Sequence, residues 1–211
     1  IYGFRISILF GLTLAGVSSV VGIFAGAVQG YFGGWLDLVF QRFIEIWASL
    51  PHLYILIIVS SIITPSFFVL LGILLLFSWV SLVHVVRAEF LRARNFEYVQ
   101  AARALGVSNG IIMFRHLLPN CLGPLVVQLT FVFAYAVLSE AALSFLGLGV
   151  PPQIPTWGSM LADGRAYVST SWWMSLFPGL WIFATVLAIN MLGDVLRDNF
   201  DPKLKRSGGR R

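Results

Sequence analysis

Five long runs of apolar residues divide the chain, at 6–28, 43–63, 67–86, 125–145 and 172–192. Each holds about 20 residues, enough to cross a hydrocarbon core of about 30 Å as a helix. The runs are continuous, whereas barrel strands would alternate over segments of about 10 residues. A bilayer interior accepts only helices or closed barrels, because backbone groups find no water there. The pattern therefore predicts an all-α fold: a polytopic transmembrane helical bundle with about five membrane-spanning helices, forming a single domain over 1–211. Pro119 and Pro124 stand just before the fourth run and blur its start, and Pro51 predicts a kink in the second.

Between the third and fourth runs lies the least hydrophobic stretch before the tail, 87–119. It is too long for a simple turn and predicts short helices of its own. Asn95 is a candidate N-cap, Glu97 falls in the first turn where a negative charge suits the helix dipole, and a helix is expected over about 96–105. Gly106 stands where a left-handed C-terminal cap residue belongs. Gln100 and Arg103 share a polar strip, while Ala101 and Ala102 offer a small surface that another backbone can approach closely. Ser108 is a candidate cap for a second turn that ends before Pro119. On these residues alone, an amphipathic helix lying on the membrane surface fits equally well.

Composition agrees with the runs. Of 211 residues, 58% are hydrophobic and 11% charged, too few charges to cover a water-facing surface. The formal charge of +5 would suggest nucleic acid in a soluble protein, but its placement points elsewhere. Arg42 follows the first run; Arg87, Arg92, Arg94, Arg103 and Arg115 follow the third; Arg197, Lys203, Lys205, Arg206, Arg210 and Arg211 follow the fifth. Alternating crossings put these twelve of the 14 basic residues on one side, leaving Arg5 and Arg165 on the other. The positive-inside rule assigns the basic side, with loop 87–119 and tail 193–211, to the cytoplasm. The first residue then lies outside, which, with no Met at position 1, leads us to expect a further helix upstream. Tyr167, Trp172 and Trp173 read as an interfacial aromatic belt.

Small residues at 11, 15, 19, 22, 26 and 30 form one drifting helical stripe suited to close helix packing. Ionisable groups inside spans are costly and are candidate functional groups. Glu140 and His52 are the candidates for lining a pathway; a buried hydrogen bond to a neighbouring helix is the structural alternative for Glu140. Glu45 with Arg42, and Asp194 with Arg197, have the spacing of helical pairs. There is no phosphate-binding GxxxxGK[ST], no HExxH and no catalytic serine motif, so no catalytic residue is assigned, and Cys121 alone makes no disulfide or cysteine metal cluster.

Two stretches then become recognisable. Tyr98-Val99-Gln100-Ala101-Ala102-Arg103-Ala104-Leu105-Gly106, followed by Arg115-His116-Leu117-Leu118-Pro119-Asn120, resembles the EAA loop of ABC importer permeases. Ala101, Ala102, Gly106, Leu118 and Pro119 match that pattern, and Gln100 stands in place of its glutamate. Ser139-Glu140-Ala141-Ala142-Leu143-Ser144-Phe145-Leu146-Gly147-Leu148-Gly149, Pro155-Thr156-Trp157-Gly158-Ser159-Met160-Leu161 and Gly193-Asp194-Val195-Leu196-Arg197-Asp198-Asn199-Phe200-Asp201-Pro202 are similar to the dipeptide/oligopeptide/nickel importer permeases, in the manner of their second permease subunit.

The resemblance implies a type I ABC importer permease of a bacterial inner membrane. Such a permease pairs with a second permease, two cytoplasmic ATP-binding cassette subunits and an external solute-binding protein. It would bind no cofactor itself; ATP and magnesium would sit on the partners. Glu97, Gln100, Ala101, Ala102, Arg103, Gly106, Leu118 and Pro119 would couple to the ATPases. Pro151, Trp157, Gly158 and Asp163 would belong to the face that docks the binding protein. The rival reading is a proton-coupled secondary transporter using Glu140 and His52, which would call for inverted repeats. The sequence does not name the solute.

Overall fold

The computed structural model describes residues 2–151 and 153–200. The basic tail residues Lys203, Lys205, Arg206, Arg210 and Arg211 lie outside the described residues. Helices α1 (Tyr2–Phe32), α2 (Gly34–Ala48), α3 (His52–Ile62), α4 (Phe67–Ala93), α5 (Glu97–Ala104) and α6 (Asn109–Ile111) come first. A π turn, Ile112–Leu117, and a 3-10 turn, Leu118–Cys121, then lead into α7 (Leu122–Phe145), followed by α8 (Trp157–Arg165) and α9 (Trp173–Phe200). No strand occurs among the described residues.

Four helical courses are long and apolar enough to cross a membrane: α1, α4, the course Asn109–Phe145, and α9. The run at 43–63 is not one straight helix. It falls across α2 and α3, which bend by 61° at the break and pass the same test only as a pair. Pro51 is the N-cap of α3 and has extended backbone, which ends α2 before it. The fourth run extends backwards through 109–121, where the helix continues in widened and tightened turns. Pro119 lacks an N–H and its ring crowds the preceding turn, so regular α geometry gives way on its N-terminal side.

The described chain forms two compact units. One gathers residues up to 17, 50–78 and 130–191; the other gathers 18–49, 79–129 and residues from 192 on. The first has its core around Phe10, Leu14, Leu56, Leu74, Ala136 and Leu143. The second has its core around Ala27, Val86, Phe90, Val99, Ile112 and Leu117.

The small-residue stripe of α1 divides between them. In the first unit, Gly11 faces Phe133 and Val137 of α7. In the second, Gly22, Gly26 and Gly30 face Leu82, Val86 and Phe90 of α4. Both sets advance in steps of four and in the same direction, so these halves of α1 and α4 run parallel. A Cβ on Gly22 would stand 2.5 Å from the Leu82 Cβ, and one on Gly26 2.7 Å from the Val86 Cβ. Packing this close replaces the hydrophobic push that lipid does not supply between helices.

Candidate functional site

The second unit carries α5. Phe96 is its N-cap, without a side-chain capping bond, so Asn95 does not fill that place. Glu97 stands in the first turn and Arg103 in the last, the placement that suits the helix dipole. Val99 is fully buried with Phe90, Ile112 and Leu117, and Ala102 and Val107 pack against the same core.

The C-terminus of α5 closes in a Schellman arrangement. Gly106 N–H donates to the Arg103 carbonyl at 3.0 Å and Val107 N–H to the Ala102 carbonyl at 3.1 Å. Gly106 has φ of +75°, a conformation without steric cost only for glycine.

Arg103, one turn on from Val99 and on the same side of the helix, anchors it to Tyr31. The guanidinium lies over the Tyr31 ring, 4.7 Å from its centroid, and Arg103 Nε donates to the phenol oxygen at 3.3 Å. The phenol in turn donates to Asn109 Oδ1 at 2.7 Å. One tyrosine from α1 thus joins α5 to the start of the helical course at Asn109.

Much of the remaining surface of α5 faces away from that core. Glu97, Gln100, Ala101, Ala104 and Gly106 are exposed, and Leu105 is 83% exposed. Gln100 Nε2 donates to the Asn95 carbonyl at 3.1 Å. A carboxylate, which only accepts, cannot make that bond. Leu118 packs against the core, while Pro119 is exposed in the 3-10 turn. Asn120 Nδ2 donates to the Tyr98 hydroxyl at 3.4 Å.

Several residues of this region escape sequence reasoning. Asp37, in the first turn of α2, receives Arg87 Nη2 at 2.6 Å and Arg87 Nε on its second oxygen, across 50 residues. Arg94 reaches the carbonyls of Gly30 and Tyr31 at the end of α1 and fills the space beside Gly33. Of the ion pairs formed among the described residues, Arg42–Glu45 and Arg92–Glu89 have a readable i,i+3 spacing.

The first unit holds Glu140, fully buried in α7. Ser7 Oγ of α1 donates to its Oε2 at 2.9 Å, and Ser144 Oγ to its Oε1 at 2.8 Å. Ser144 lies one turn further along the same helix, a neutral partner that a search for charges passes over.

Trp157 and Gly158 are buried in this unit. A Cβ on Gly158 would run into the Ala141 carbonyl, so the two residues support α8 from within and do not form its surface. Pro151 is half-buried; Asp163 and Arg165 are exposed. His52 opens α3, exposed, with its ring against Phe77. Among the described residues, no group of three or more His, Cys, Asp or Glu comes together as a metal site.

Long apolar helices joined by a loop that carries one short, half-anchored helix define a type I ABC importer permease-like bundle. A chain of the MetNI methionine ABC transporter in an inward-facing form superposes with a TM-score of 0.78. That match covers 94% of each chain at 17% identity, a likeness of fold alone. Residues 18–206 match the binding-protein-dependent transport system inner membrane components, and the chain belongs to that family. The peptidoglycan transport system permease protein YejE of Agrobacterium fabrum is 56% identical over 96% of this chain and 53% of its own length. The inner membrane ABC transporter permease protein YejE of Escherichia coli K12 is 46% identical over 96% and 59%. The dipeptide transport system permease protein DppC of Bacillus subtilis is 37% identical over 97% and 64%. The chain thus spans little more than half the length of the first two relatives.

Proposed function

We propose that the chain belongs to a permease subunit of an ATP-driven importer for peptides or a related small solute, paired with a second permease and energised by two cytoplasmic ATPases. The observation that carries this reading is α5. Val99 and Arg103 fasten it to the second unit, while Gln100, Ala101, Ala104 and Leu105 present a small, open face. A short helix held on one side and bare on the other is suited to seat in a cleft of a partner and carry its motion into the bundle. Loop 87–119 and the basic tail would then face the cytoplasm, by the distribution of basic residues. The segment 148–171 would face the solute-binding protein, with Asp163 and Arg165 among its contact residues and Trp157 and Gly158 as support beneath. The names of the relatives favour peptides or peptidoglycan fragments as cargo.

A proton-coupled transporter would use Glu140 and His52. The hydrogen bonds that Glu140 accepts from Ser7 and Ser144 and the tilted contact of the His52 ring with Phe77 favour structural roles for both. The test is uptake by the full-length permease, reconstituted with its partner subunits in proteoliposomes. The expected result is uptake of labelled peptide that requires ATP and co-purification of the ATPase subunits. Uptake that follows an imposed pH gradient and ignores ATP would establish the rival reading.

A further inference from the structure

The hydroxyls that meet Glu140 each do two things. Ser144 Oγ donates to the carboxylate and accepts from the Val150 N–H at 3.2 Å. Ser7 Oγ donates to the carboxylate and accepts from the Trp157 N–H at 3.3 Å. Val150 lies in the connection that follows α7, and Trp157 is the first residue of α8. One buried carboxylate therefore sets the direction of both hydroxyls, and the hydroxyls hold the backbone at Val150 and at the first residue of α8.

The acceptor-only chemistry of a carboxylate matters here. With both protons of the two hydroxyls drawn to Glu140, their lone pairs remain for the backbone. Thr156, immediately before Trp157, is the N-cap of α8, and its side chain accepts from the Ser159 N–H in a capping box. Glu140 thus gathers the end of α7, the start of α1 and the N-terminus of α8 at one point. The other charged groups of α1, α7 and α8, namely Arg5, Asp163 and Arg165, are exposed. The positive end of the α8 dipole, relayed through Ser7, complements the carboxylate instead.

We propose that Glu140 is a positioning residue that fixes the backbone at Val150 and the start of α8, and so orients the exposed face of α8 for its partner. The part concerning the partner rests on the permease reading above. The positioning part stands on geometry alone.

The test uses the full-length permease in its intact complex, comparing Glu140→Gln with the parent and with Ser7→Ala. A glutamine keeps the size but turns one arm into a donor, which sets it against one of the two hydroxyls. Hydrogen exchange is read at the Val150 and Trp157 amides. ATP hydrolysis is read without and with added solute-binding protein, using a tryptic peptide mixture as the ligand probe.

In Glu140→Gln, exchange at Val150 and Trp157 is expected to speed up at least tenfold, while amides in the middle of α4 keep the parent rate. The binding-protein concentration for half-maximal stimulation is expected to rise at least fivefold, with basal hydrolysis within twofold of the parent. Ser7→Ala is expected to release Trp157 and spare Val150. Unchanged exchange at both amides in Glu140→Gln would overturn the positioning role. Equal acceleration along α4 would overturn it too, since the effect would then be general loosening. Faster exchange at the two amides with unaltered stimulation would overturn the partner-facing part. A parent complex that the binding protein does not stimulate would count against the permease reading and leave the exchange result to judge Glu140 separately.

Discussion

Arg87 holds Asp37 through both carboxylate oxygens, with Nη2 2.6 Å from Oδ2 and Nε on Oδ1. The pair joins the first turn of α2 to the last part of α4. The Asp37 side chain is 10% exposed and that of Arg87 is 28% exposed, so the bond is partly screened. Removing one partner of a fully buried pair costs about 3–5 kcal/mol. Asp37→Ala is therefore expected to cost somewhat less, about 2–3 kcal/mol. Thermal unfolding of the detergent-solubilised chain measures this. A cycle with Asp37→Asn and Arg87→Gln is expected to be non-additive; additive losses would show that the pair contributes little.

The glycine face of α1 supplies a second prediction. A methyl group at Gly22 or Gly26 meets Cβ and backbone atoms of α4 at under 3.0 Å, and neither kind of atom moves away cheaply. Gly22→Ala and Gly26→Ala are each expected to destabilise by about 1–3 kcal/mol through overpacking. Gly16, in the same helix, has nothing within 4 Å of a built Cβ. Gly16→Ala is expected to be neutral or to gain up to about 1 kcal/mol from helix propensity. Melting temperatures of the three variants check the contrast. Equal effects at all three positions would mean that the α1–α4 contact is unimportant.

This face also shows what can be read from sequence and what cannot. Spacing of three and four residues marks a close-packed stripe, and the structure has one. Spacing does not say that Gly11 meets α7 while Gly22, Gly26 and Gly30 meet α4, because partners are set by tertiary packing. The same limit applies to charge. Arg42–Glu45 is readable at i,i+3, whereas Asp37–Arg87 spans 50 residues and leaves no periodic trace. The helix at 97–104 is legible because its apolar and polar positions, its acidic first turn and its glycine stop agree. Its N-cap is not, since Asn95 has a capping side chain but the cap falls one residue later, on Phe96, and the helix begins at Glu97.

Gln100 supplies a third prediction. Its side-chain amide donates to the Asn95 carbonyl, closing the segment that leads into α5. Gln100→Glu replaces that donor with an acceptor that faces a carbonyl oxygen. At an exposed site the loss is small, about 0.5–1 kcal/mol. Faster hydrogen exchange over 95–98 is expected, with global stability nearly unchanged. Gln100→Glu restores the residue of the resembled loop pattern, so ATP-driven uptake by the intact complex is expected to persist. A collapse of uptake would mean that the amide itself takes part in the partner contact.

Gly106 gives the sharpest test of the loop. Its φ of +75° closes the Schellman turn after α5, and a built Cβ there meets nothing within 4 Å. A substitution therefore acts through backbone strain, not collision. An L-residue in the left-handed region costs about 1–2 kcal/mol, while asparagine tolerates it better. Because Val107 packs on the core immediately afterwards, that strain is relieved most readily by unwinding the last turn of α5. Unwinding would displace Leu105 and Ala104, on the exposed face. Uptake per ATP hydrolysed is therefore expected to fall in the order glycine, Gly106→Asn, Gly106→Ala, Gly106→Val, with hydrolysis itself retained. Uptake and phosphate release measured on the same proteoliposomes give this ratio directly. If Gly106→Asn lowers it as much as Gly106→Val, the left-handed turn is not what coupling requires. If hydrolysis falls in step with uptake, the contact with the ATPases has been lost as a whole.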